Sequence, residues 1–103
     1  MSEGKRIPID LLLDALEELV EEKRPISMAP IEELRREIES SATSDISVSK
    51  IIHYLVEAGY NINDIKRFMI RSGIVDSMEE WIAVKHDVER AVLMERMRRE
   101  LGG

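Results

Sequence analysis

Residues 47–80 read SVSKIIHYLVEAGYNINDIKRFMIRSGIVDSMEE, and two glycines, Gly59 and Gly73, divide this stretch into three consecutive helical patterns. In the first, Ser47 is suited to cap a helix that ends at Ala58. Gly59 then takes the left-handed conformation that closes a helix without a Cβ penalty. Val48, Ile51, Ile52, Leu55 and Ala58 recur at helical spacing and form the core face, flanked by Tyr54 and Val56. The second pattern is capped by Asn61 or Asn63, turns Ile62, Ile65, Phe68 and Met69 inward, and stops at Gly73. The third has the clearest start signal in the chain: Ser77-Met78-Glu79-Glu80 sets a hydroxyl three residues before a carboxylate, the spacing of a reciprocal capping box.

Upstream, Pro8 suits the first helical position, and a helix is expected from Ile9 to Lys23. Ile9, Leu12, Leu13, Leu16, Leu19 and Val20 share one broad face, while Glu17, Glu18, Glu21 and Glu22 cover the other. Leu11 falls outside the stripe, and Arg24-Pro25 ends the helix because the residue before a proline is pushed out of the α region. A shorter helix begins near Pro30 with Ile31, Leu34 and Ile38 as its stripe. The hydroxyl-rich run that follows places an internal loop at residues 40–46, and residues 1–7 read as a flexible N-terminus.

Downstream, the fifth pattern extends from Met78 to Leu101, roughly 36 Å of helix at about 1.5 Å per residue, and overhangs the shorter pair before it. The expected fold is all-α: one domain over residues 1–103, a small orthogonal bundle of about five helices. It contains a helix-turn-helix-like hairpin and a long C-terminal helix, with the second helix and the serine-rich link draped over the side.

The composition narrows the function classes. The chain has no cysteine, so neither a disulfide nor a thiolate metal site is available. No run of apolar residues is long enough for a membrane span and no signal-like core follows the N-terminus, so a cytoplasmic protein is expected. His53 and His86 stand on different helices without a second ligand at metal spacing, and His86-Asp87 are neighbours that diverge around the helix. The carboxylates of Glu17, Glu18, Glu21 and Glu22 have a spacing that suits a divalent ion, but leucines take the inward face. The serine-rich link lacks the glycines and lysine of a phosphate-binding loop. The expectation is therefore a protein that is not an enzyme and uses no cofactor.

Two binding readings remain. The first is a protein-interaction or assembly module that pairs with itself, most simply as a two-fold dimer, or with another protein. The apolar positions of the last helix spread over more than one stripe, so Trp81, Val84, Val88, Ala91, Met94, Met97 and Leu101 are the candidate interface. The stripe Met78, Trp81, Lys85, Val88, Val92, Glu95 is interrupted twice by charge, which argues against a strict coiled coil. Trp81 also suits a core position against Phe68 and the Gly73-Ile74 turn.

The second reading is a dimeric helix-turn-helix DNA-binding regulator. Asn61, Asn63 and Arg67 would face base edges, and Lys50, Lys66 and Arg71 would meet phosphates. Against it stand a net charge of -6 and the absence of the usual small residue early in the first helix of the pair, at Ile51 or Leu55. Aromatic and basic residues do not interleave, which argues against RNA.

Overall fold

The computed structural model describes residues 7–40 and 47–102. Five helices, α1 (Ile9–Glu22), α2 (Ala29–Ser40), α3 (Val48–Glu57), α4 (Ile62–Ser72) and α5 (Met78–Gly102), form an all-α, roughly orthogonal bundle with the longest helix last. The expectations for residues 1–6 and 41–46 lie outside the described residues.

The local signals act largely where the sequence places them. Ser47 caps α3 by accepting the Lys50 N–H at 3.0 Å. Gly59 closes α3 at φ 101, with its own N–H bonded to the Val56 carbonyl and the Tyr60 N–H bonded to the Leu55 carbonyl. This pair of bonds satisfies carbonyls that the last helical turn leaves without partners. Gly73 ends α4 at φ 86. Pro8 sits one position before the helix as its cap, and Pro30 lies inside the first turn of α2.

The reciprocal capping box belongs to α4. Asn61 Oδ1 accepts the Asp64 N–H at 2.9 Å, and Asp64 Oδ2 accepts the Asn61 N–H at 3.2 Å. At α5 the box is shifted by a residue. Ser77 Oγ accepts the Glu80 N–H, but the Glu80 carboxylate reaches the Asp76 N–H at 2.7 Å.

α1 packs on α2 and α4, α3 on α2 and α5, and α4 on α5. The core joins Leu12, Leu16 and Leu19 of α1 to Ile51 and Leu55 of α3 and Ile65, Phe68 and Met69 of α4. One expectation is corrected here. α2 does not drape the bundle: Ile31, Leu34 and Ile38 are completely buried, because α1 and α3 both close over that stripe. Val48, read as a core residue, lies at the exposed start of α3.

α5 is the longest helix of the bundle. Only Trp81 and Val88 of its 25 residues are buried. The remainder of its apolar side chains have no equivalent cover from their own chain, and this positions the candidate site.

Candidate functional site

The basic face of α4 is built against the acidic side of α1. Arg71 donates through Nη2 to Glu22 Oε2 and approaches Glu18 at 3.5 Å, while Arg67 lies 3.5 Å from Glu22 and 3.7 Å from Asp64. The Arg71 hydrogen bond lowers the Glu22 carboxyl from its ordinary value, and the same bond raises the Arg71 guanidinium. Each group thus stabilises the charged form of the other.

Asp64 is 4% exposed, and a charge so buried requires partners. Lys23 supplies one at 2.9 Å from the end of α1, in addition to the capping contacts with Asn61. Of the other candidate DNA contacts, Lys66 stands 5.7 Å from the centre of the Trp81 ring, and Lys50 pairs with Glu37 at 3.3 Å. Asn63 is exposed on the first turn of α4. Five of the six candidates therefore already have partners within the chain: Arg67 and Arg71 on α1, Lys50 on α2, Lys66 on α5, and Asn61 in its own helix.

The candidate interface residues divide differently. Trp81 takes the core position that the sequence also suits, and Val88, read as an interface candidate, is likewise buried in the chain's own core. Val84 and Ala91 are half-buried against it, and Met94, Met97 and Leu101 are exposed at 61%, 49% and 84%. Leu93 joins the exposed group at 53%.

The reason is the helical register. Met97 follows Val88 by nine residues, which at about 100° per residue is half a turn, so the two point to opposite sides of α5. The inner side changes character after Val92. Glu95 accepts from Arg98 at 2.9 Å and from Arg99 at 3.1 Å, and Arg99 Nη2 donates to the Glu57 carbonyl at 3.3 Å. A guanidinium at the last turn of α3 satisfies an end carbonyl and complements the negative end of the helix dipole. The C-terminal half of α5 thus reaches α3 through one polar contact, from Arg99, and its large apolar side chains turn outward.

Between α3 and α5 this leaves a groove of about 390 Å³ with Val56, Ala91, Met94 and Met97 as its apolar lining and His53, Glu95 and Arg98 at its edges. A second hollow, shared through His53 and Ala91, continues along Val84 and Asp87 toward Val48. His53 lies 3.0 Å from Glu57, one turn along α3, and His86 lies 3.7 Å from Glu89. Among the described residues no group of three or more His, Cys, Asp or Glu side chains converges as a metal site. No helix among them is long and apolar enough to cross a membrane.

Sequence reasoning did not single out Asp64; it sets Glu95 four residues before Arg99, the pair found at 3.1 Å, and leaves Tyr60 open between core and interface. The Asn61-x-x-Asp64 spacing was a signal for the buried carboxylate, and Tyr60 following a left-handed glycine was a signal for a chain crossing at the turn.

No family model, no curated protein and no solved structure matches the chain.

Proposed function

We propose that this protein is a non-catalytic interaction or assembly module that associates with a second copy of itself through α5. The observation that carries the reading is the outward apolar group Leu93, Met94, Met97 and Leu101, set on a helix whose inner side there carries Glu95 and Arg99, the latter donating to the Glu57 carbonyl. Four large apolar side chains clustered on one half of a helix favour burial against a partner, because each exposed side chain of this size forgoes roughly 1.5–3 kcal/mol of transfer free energy. Met is well suited to such a surface, since its unbranched thioether adapts to its neighbour.

Sedimentation equilibrium tests the reading. The chain is expected to be dimeric at tens of micromolar, and Met94→Glu with Met97→Glu is expected to leave a folded monomer. A wild-type monomer at that concentration would overturn it.

The helix-turn-helix reading retains one supporting observation, the outline of α3 and α4 around Gly59. Under it, Glu18 and Glu22 must release Arg67 and Arg71 before phosphate is met. Duplex binding compared at about 0.05 and about 0.2 M salt, with and without charge reversal at both arginines, separates the two. The assembly reading expects no arginine-dependent binding at either salt.

A further inference from the structure

The groove between α3 and α5 borders a stripe of α5 that starts at the edge of the core, with Val84 and Ala91, and runs out to Arg98, which pairs with Glu95 of its own helix at 2.9 Å. Val84, Asp87, Ala91, Met94, Arg98 and Leu101 follow one another at intervals of three, four, three, four and three residues. That alternation keeps side chains on one side of a helix and is the seam spacing of a two-stranded helical pair. Val84 and Ala91 are half-buried on this line, and Asp87, Met94, Arg98 and Leu101 are exposed.

The stripe is also self-complementary when reversed. Read forwards it is apolar, acidic, apolar, apolar, basic, apolar; read backwards, each apolar position meets an apolar one and the acid meets the base. The wider charge balance agrees: residues 78–89 carry Glu79, Glu80, Asp87 and Glu89 against Lys85, and residues 90–102 carry Arg90, Arg96, Arg98 and Arg99 against Glu95 and Glu100. The helix dipole accounts for acidic residues in the first turn and basic ones in the last, but its influence has faded by Asp87 and Arg90, in the middle of the helix. Asp87 makes no ion pair among the described residues.

From this we infer that the α5 helices of two copies pair antiparallel about a two-fold axis between residues 92 and 93. Val84 then lies against the partner copy's position 101, Asp87 against position 98, and Ala91 against position 94. The inference rests on the self-association proposed above and adds its direction and register. Ala91 is small enough to admit the facing methionine, and the groove beside it receives the flank of the second helix. A parallel pair would set Asp87 against Asp87 and Arg98 against Arg98, and like charges so placed oppose association. The paired stripe spans roughly 26 Å of helix.

Charge exchange tests the register. Asp87→Arg and Arg98→Asp are each expected to weaken the dimer by at least about tenfold, and the double variant to return to within about threefold of the wild type. Both positions are exposed, so helicity and Trp81 emission are expected to stay native in all three variants. Because the chain has no cysteine, cross-linking gives an independent readout. Under mild oxidation a mixture of Asp87→Cys and Arg98→Cys chains is expected to form a covalent heterodimer, while neither chain alone cross-links.

A dimer that ignores single reversals, fails to recover in the double variant, or cross-links through Asp87→Cys alone would overturn the antiparallel register and leave self-association standing. A wild-type monomer would overturn both.

Discussion

The Tyr60 hydroxyl donates to the Lys23 carbonyl at 2.8 Å, joining the turn between α3 and α4 to the end of α1 across 37 residues of sequence. The neighbouring bonds reinforce the crossing: the Ile26 N–H meets the Ala58 carbonyl at 2.8 Å, and Lys23 Nζ meets Asp64 at 2.9 Å. Burial, with a smaller contribution from the nearby Asp64 carboxylate, pushes the Tyr60 phenol up to about 12. The folded state therefore favours the protonated phenol. The associated stability is whole below the ordinary value of 10.0 and is lost as pH rises toward about 12. Tyr60→Phe is expected to cost about 1 kcal/mol in urea unfolding near neutral pH and to reduce the loss of stability over the alkaline window. An unchanged alkaline profile would remove Tyr60 as its source.

The two glycines differ in what surrounds them. A Cβ on Gly73 would meet open space, whereas one on Gly59 would come within 2.7 Å of Ile26 Cδ1 and 2.9 Å of Ile26 Cβ. Both residues have positive φ, so either alanine is strained. Gly73→Ala is expected to lower stability by about 1 kcal/mol and Gly59→Ala by at least about 1 kcal/mol more, because Ile26 is held by its backbone bond to Ala58 and moves only with the link. Equal unfolding midpoints would contradict the contact.

The α1–α4 clasp is sensitive to acid. Glu22 is lowered chiefly by its hydrogen bond from Arg71, so its contribution is present above the ordinary value of 4.5 and is lost as pH falls through the lower folded value. Thermal unfolding of Glu22→Gln is expected to start from a lower midpoint near neutral pH and then fall less on acidification than the wild type. Parallel curves for the two proteins would show that the clasp has no such role.

Trp81 provides a direct separation of core from interface. It is the chain's only tryptophan, is 4% exposed without a partner, and packs beneath Lys66. Its emission is expected to remain that of a buried indole when the protein is diluted through dimer dissociation. A red shift on dilution would return Trp81 to the interface. Trp81→Ala is expected to cost about 3–5 kcal/mol in denaturant unfolding, with loss of helicity if the domain's reserve is small.

The helices are legible in the chain because their determinants are local: the apolar stripes, Ser47 as a cap, and glycines at 59 and 73 that tolerate positive φ. α2 reads as a surface helix in sequence because it has only three large apolar residues in twelve, until two neighbours close over them. The candidate sites were less legible. Arg67 and Arg71 look like a free basic face in sequence, yet their carboxylate partner Glu22 comes from a helix 49 residues away from Arg71. Trp81 and Val88 look equivalent to Met94 and Leu101 in apolar character, and only the line along which α3 and α4 meet α5 separates them.

Helix number, direction changes and the all-α class follow from the residues in order, since capping, left-handed closure and amphipathic periodicity act within a turn or two of the chain. Which cations keep a free face, and which apolar side chains remain outside, depends on how α1 docks on α4 and α5 on α3. Those contacts are set by burial and charge pairing summed across distant segments, so they belong to the tertiary structure alone.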